Sequence, residues 1–235
     1  MPDKDASTPR LFLVRHGETE WSQSGKHTGK TEIPLTAHGE DQVRGTGALA
    51  VGSNKLVDPA KLTKLFVSPR GRAQKTAELL FGGETIAELK EKGVFETEEL
   101  AQEWNYGAYE GLKPKEIKQL RQDQGLNSPS RPWDIWRDGC VDGESPAQVT
   151  QRCDALIAKI RALQAPNMNG EAPADIMVVA HGHFTRCFAK RWLGYPLDFG
   201  LSLMMEPGGV GVLSYQHHSV EEPALLLGIG FPVAQ

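Results

Sequence analysis

Cysteine is scarce in this chain of 235 residues: Cys140, Cys153 and Cys187 lie far apart and form no C-x-x-C pair. That excludes a disulfide framework and a zinc knuckle, and makes reduced thiols in a cytoplasmic protein the expectation. Excess positive charge is missing too. With 26 Lys+Arg against 30 Asp+Glu the formal charge is −4, which argues against a nucleic-acid or anionic-membrane surface. No apolar run approaches the roughly 18 residues of a spanning helix, and residues 1–10 are polar, without the apolar core of a signal peptide. There is no G-x-x-x-x-G-K-[ST] motif, and Gly208-Gly209-Val210-Gly211 lacks the helix context of a dinucleotide loop. Low-complexity linkers are absent. What remains, 39% hydrophobic and 24% charged, suits a single globular domain over residues 1–235.

Two stretches repeat one design. Leu11-Phe12-Leu13-Val14 is an apolar run too short for a helix and reads as a strand buried on both faces, followed at once by Arg15-His16-Gly17. Ile176-Met177-Val178-Val179-Ala180 ends the same way, in His181-Gly182-His183. Ligands in open α/β sheets bind outside the carboxyl ends of the strands, so the pattern places two imidazoles and a cation at one crevice.

The rest of the chain alternates strand and helix. Residues 62–67 and 94–97 read as strands, as do 210–215 and 224–227. Helices are expected from Thr36 to about Val51, from near Arg72, from Pro114 to about Gln122, from Ser145-Pro146 onward, and from Phe184 to Leu193, where Gly194 ends the last. Residues 18–35 read as an active-site loop in which Trp21 either pins the loop or walls a pocket. The 82–100 stretch is otherwise irregular. Residues 102–144, rich in aromatic, acidic and basic side chains, form an active-site insert or lid. The expected fold is an α/β, three-layer α/β/α sandwich around a mostly parallel sheet.

A neutral imidazole is a competent nucleophile, and arginine forks suit phosphate oxygens. The pattern therefore points to phosphoryl transfer: His16 attacks, and Arg15, Arg72 and His181 clamp the oxygens. The helix that begins at Arg72, with Arg70 beside it, is an anion site in its own right. Glu103 is the candidate general acid for the departing alkoxide. His183 stands two residues from His181, a spacing that suits a metal pair, yet no third ligand stands out and a supporting hydrogen bond is the better reading. No metal and no cofactor is expected. Glu18 and Glu110 read as structural, and His217-His218 as a solvated turn.

Leu-Val-Arg15-His16-Gly17-Glu18-Thr19, Ser68-Pro-Arg-Gly-Arg72-Ala-Gln-Lys-Thr76-Ala77, Glu103 before Tyr106-Gly107-x-x-Glu110-Gly111, and Val-Val-Ala-His181-Gly182-His183 together resemble the histidine phosphatase superfamily. That superfamily includes cofactor-dependent phosphoglycerate mutases and fructose-2,6-bisphosphatases. The resemblance implies a phosphoglycerate mutase-like fold, His16 as the phosphorylated nucleophile, Glu103 as proton donor, and Arg15, Arg72 and His181 as the phosphate pocket. It further implies substrate contacts at Thr28, Gly29, Tyr106 and Gly182.

Arg131-Pro-Trp-x-Ile-Trp-Arg137-Asp-Gly-Cys140-x-x-Gly143-Glu144, His181-Gly-His-x-x-Arg186 and Gly209-Val-Gly-Val-Leu-Ser-Tyr215-x-His217-His218 resemble the fungal sedoheptulose-1,7-bisphosphatase type in particular. In that type Arg186 binds substrate, and Arg131 and Arg137 are candidates for a second phosphate. The connection 194–208 is shorter than that type leads one to expect. The resemblance implies a metal-independent phosphatase acting on a small sugar phosphate, with sedoheptulose 1,7-bisphosphate foremost. Phosphoglycerate mutase, fructose-2,6-bisphosphatase and broad-specificity phosphatase are the enzyme alternatives, and a phosphoprotein-binding module is the non-enzyme one. Assembly into homo-oligomers is left open.

Overall fold

The computed structural model describes residues 7–127 and 130–228. The polar start at residues 1–6 and the last part of the expected domain, 229–235, lie outside the described residues. Six strands, β1 (Leu11–Arg15), β2 (Leu62–Val67), β3 (Phe95–Thr97), β4 (Asp175–Ala180), β5 (Val210–Tyr215) and β6 (Pro223–Leu225), form one sheet in the order β3-β2-β4-β1-β5-β6. The first four run parallel, and β5 and β6 complete the sheet antiparallel. The sheet is thus mixed, with parallel pairing around the site.

The helices are α1 (Glu20–Ser24), α2 (Ala37–Ala50), α3 (Gly71–Phe81), α4 (Gly83–Glu91), α5 (Pro114–Asp123), α6 (Ile135–Asp138), α7 (Pro146–Gln164) and α8 (Gly182–Trp192). Alternate residues of the central strands face opposite layers, as the pleat requires. Leu11, Leu13, Ile176 and Val178 pack with Val149, Cys153 and Ile160 of α7 and Phe184 and Phe188 of α8. Phe12, Val14, Met177 and Val179 pack with Val43 of α2, Ala73, Ala77 and Leu80 of α3, and Ile86 and Leu89 of α4. Burial on both faces explains the unbroken apolar runs.

Local chemistry sets the helix ends. Thr36 accepts the Gly39 N–H at 2.9 Å to start α2, and Ser145 and Gln148 make a capping box at α7. The glycines inside α2 are there for close packing: a Cβ on Gly47 would collide with the Leu80 carbonyl, and one on Gly39 with the backbone of Glu18.

Three helices depart from expectation, one of them the four-residue α6 within residues 102–144. The 18–35 stretch contains α1, five residues held by a Thr19–Ser22 capping box, and the 82–100 stretch contains α4, set off from α3 by Gly82 at φ 80°. Residues 102–144 contribute Trp104, Tyr106, Tyr109, Ile117, Trp133 and Ile135 to the same core that α7 and α8 build. No described helix is long and apolar enough to cross a membrane.

Candidate active site

The β1–β4 register pairs Arg15 with Ala180, and the His16 N–H donates to the Ala180 carbonyl at 2.9 Å. His16 and His181 therefore leave the sheet side by side, with ring centroids 5.2 Å apart. The His16 ring is only 5% exposed. Its Nδ1 lies 2.7 Å from the Gly17 carbonyl oxygen, which can only accept, so Nδ1 carries the proton and Nε2 the lone pair. Burial first, then Arg72, pushes the His16 pKa down to about 3, and Arg15 adds to the effect. The imidazole is neutral at physiological pH.

Arg72 is 1% exposed, and three backbone carbonyls hold it from the loop after α1: Thr31 at 3.0 Å, Thr28 at 3.0 Å and Gly29 at 2.9 Å. Arg15 donates to the Met205 carbonyl at 2.8 Å. His181, fully buried, meets the Ser68 hydroxyl through Nε2 at 2.7 Å. Arg15 Nε, Arg72 Nε and His181 Nδ1 are each shut off from solvent with no protein hydrogen-bond partner. Such groups are costly unless something else pairs with them.

Glu103 caps the start of α8. Its Oε1 accepts the Trp104 and Phe184 N–H groups at 2.8 and 2.9 Å, and its Oε2 accepts that of His183 at 3.0 Å. It lines, with Arg15 and His16, a pocket of about 760 Å³. Tyr106, Thr28, Gly182, Arg186 and Arg137 line the same pocket, whereas the buried Arg72 and His181 do not form part of its wall. Gly29 does not line it. Its carbonyl holds Arg72 instead, and its N–H donates to Glu110 at 2.9 Å.

Arg186 reaches the Gly182 carbonyl through Nε at 2.9 Å and lies 5.2 Å over the Trp136 ring. Arg137 is ion-paired to Asp138 at 2.7 Å, and the largely exposed Arg131 shares that carboxylate at 3.4 Å without reaching the pocket. The N-terminus of α3, expected to be an anion site, is taken by Glu32, which accepts the Gly71 N–H at 3.0 Å and pairs with Arg70. Trp21 pins its loop against Gly111. Glu18 accepts the Thr36 hydroxyl at 2.8 Å. His217 and His218 form a left-handed turn outside the pocket wall, and His217 pairs with Glu222.

His183 accepts or donates to the Tyr106 hydroxyl at 2.7 Å and stacks on His27 at 5.6 Å. Burial drives the His183 pKa well below the usual value. Among the described residues, no three His, Cys, Asp or Glu side chains cluster as a metal site. His27 and Lys118 were not legible in the sequence as pocket residues. The position of His27 directly before Thr28 is the one signal that pointed to it. The short 194–208 connection does border the pocket, through Leu203, Met204, Met205 and Glu206.

Comparison with known proteins adds to this geometry. A family model for the histidine phosphatase superfamily (branch 1) matches residues 11–224. The chain belongs to that superfamily. This histidine phosphatase is 37% identical to a sedoheptulose 1,7-bisphosphatase of Saccharomyces cerevisiae, over 94% of this chain and 92% of that one. It is also 37% identical to an acid phosphatase of Mycobacterium tuberculosis, over 95% and 94% of the two chains. The solved structure of the Mycobacterium tuberculosis open reading frame Rv3214 superposes with a TM-score of 0.70 at 32% identity, covering 93% of this chain and 96% of that one. The protein is a phosphatase with the phosphoglycerate mutase-like fold.

Proposed function

We propose that this phosphatase hydrolyses the phosphate monoester of a small sugar phosphate through a phosphohistidine at His16, with sedoheptulose 1,7-bisphosphate as the leading substrate. One observation carries the mechanism: the neutral His16 has beside it Arg15, Arg72 and His181, of which Arg15 Nε, Arg72 Nε and His181 Nδ1 are buried without a protein partner. Three oxygens of a transferring phosphoryl group suit three such donors. His16 Nε2 gives its lone pair to phosphorus as the ester P–O bond breaks, and Glu103 delivers a proton to the departing alkoxide. Water then attacks the phosphohistidine, Glu103 takes a proton back, the P–N bond breaks, and inorganic phosphate leaves. The arginines and His181 carry the charge, so the reading calls for no metal or cofactor.

The substrate class is supported by the yeast relative's name and by further cations in the pocket wall: Arg186, Lys26, Lys118 and Arg137. Arg186 is the first candidate for a second phosphate, since Arg137 is already paired. Thr28, Tyr106 and Gly182 flank the sugar chain. The partner is thus a small molecule, with no part for nucleic acid or membrane, in a cytoplasmic setting where the three cysteines stay free thiols. A broad-specificity phosphatase is the second reading, favoured by the equally similar acid phosphatase and by Met204, which is 87% exposed at the pocket rim.

The deciding experiment is phosphate release, without added metal, from a panel of sugar mono- and bisphosphates, run beside the His16→Ala variant. The seven-carbon bisphosphate should show the highest kcat/KM, and His16→Ala should be folded and inactive. A flat profile selects the broad-specificity reading. Turnover in His16→Ala would overturn the phosphohistidine.

A further inference from the structure

Ser68 follows β2 directly and has no part in the chemistry described so far. It is fully buried, and its Oγ lies 2.7 Å from His181 Nε2. The surrounding backbone fixes it. Its N–H donates to the Val179 carbonyl at 3.0 Å, its carbonyl accepts from the Gln74 amide at 2.8 Å, and its Oγ accepts the Arg70 N–H at 3.4 Å.

His181 has only one ring proton to place. Burial, with Arg72 next, holds its pKa well below the usual histidine value, so the ring is neutral, with one N–H and one lone pair. Its Nδ1 is buried without a protein partner, on a ring whose centroid is 5.2 Å from that of the His16 nucleophile. With the proton on Nδ1, His181 offers a donor to an incoming phosphoryl oxygen. With the proton on Nε2, it offers a lone pair, and the two repel. The hydrogen bond at one ring nitrogen decides what the other presents.

We propose that Ser68 is a positioning residue: its hydroxyl donates to His181 Nε2, locks the ring, and keeps the proton on Nδ1 for the transferring phosphoryl group. The Arg70 N–H supports this direction, because it occupies acceptor capacity on Oγ and leaves the hydroxyl proton free to point at the imidazole. The identity of the acceptor rests on the phosphohistidine reading above; the tautomer does not.

The test is 15N NMR of the intact chain labelled at histidine, with His181→Gln to assign the ring signals, combined with steady-state kinetics of Ser68→Ala and Ser68→Thr. In the unaltered protein Nδ1 of His181 should be protonated and Nε2 not. Ser68→Ala should move proton population to Nε2 and lower kcat/KM by about 10- to 100-fold, by analogy with metal-bound imidazoles that lose their orienting partner. The loss should fall mainly on kcat, because the donor matters most as charge builds on the phosphoryl oxygens. Ser68→Thr should restore both the tautomer and the rate. A proton on Nε2 in the unaltered protein overturns the proposal, and so does Ser68→Ala with unchanged tautomer and kcat. Should Ser68→Ala fail to fold, the spectrum of the unaltered protein still decides. Turnover in His16→Ala would remove the phosphohistidine without touching the tautomer assignment, so the two failures are distinguishable.

Discussion

An imidazole between two arginines will not hold a proton, and that is what a histidine nucleophile needs. His16 illustrates how position does this work: its pKa lies near 3 because burial and Arg72 both oppose the charged form. The acid limb of kcat/KM near pH 6.5 that an ordinary histidine nucleophile would give should therefore be missing. A pH profile in the free enzyme reports this directly, once the substrate's own ionisation is divided out. A tenfold loss per pH unit beginning at 6.5 would return His16 to its ordinary value. Glu103 is tested differently. Glu103→Gln should slow esters with poor leaving groups far more than activated aryl phosphates, which need little protonation, and equal slowing of both classes would remove Glu103 from the acid role. Arg15, His16, Arg72, His181 and Glu103 were all legible as candidates, because each sits at a strand end, a helix start or an acidic loop motif. Ser68 and His27 were not. A serine after a strand has no signature of its own until the fold brings it to 2.7 Å from an imidazole 113 positions away.

The loop between α1 and α2 shows how an element that lines the pocket also holds the site from behind. Its carbonyls at Thr28, Gly29 and Thr31 fix Arg72, and Glu110 holds the loop by accepting the Gly29 and Thr31 N–H groups. Glycine is required there by space: a Cβ on Gly29 would lie 2.6 Å from the Trp104 carbonyl oxygen and 2.8 Å from Glu110. Gly29→Ala should therefore displace the loop, cost about 1–3 kcal/mol of stability in a denaturant titration, and lower kcat/KM at least several-fold through Arg72. Unchanged kinetics would show that the loop does not set the arginine. The same scale explains what the sequence hid. The strands were readable because two-sided burial demands apolar runs, and α2 and α7 because their caps are explicit. The nine-residue α4 was not, since it opens on Gly82-Gly83 and buries only Ile86 and Leu89. The ties of the 194–208 connection to the site were hidden as well, being long-range bonds: Arg15 donates to the Met205 carbonyl, and the Gly208 N–H donates to the Arg15 and His16 carbonyls.

At the scale of the whole molecule, the site is a strain on the fold when no anion is bound. His16, His181 and His183 are buried neutral with pKa values below the unfolded value of 6.5. Between pH 6.5 and about 3 the unfolded chain binds protons at His16 that the native chain does not, so stability is full above pH 6.5 and falls as pH drops through that window. The arginine and imidazole donors without protein partners act in the same direction at every pH. An anion that fills the site relieves the second cost and binds only the folded form. Inorganic phosphate, a product in the proposed reaction, should therefore raise the melting temperature. At 100 times its dissociation constant the linkage amounts to about 2.7 kcal/mol, which for a chain of this size corresponds to roughly 5–10 °C. Sodium chloride at matched ionic strength should give much less, because a single monovalent chloride lacks the charge and the separate oxygens with which phosphate can meet several donors at once. Equal shifts with both salts would mean that the donors around His16 do not form a phosphate cradle. In that case the catalytic reading would lose the observation it stands on.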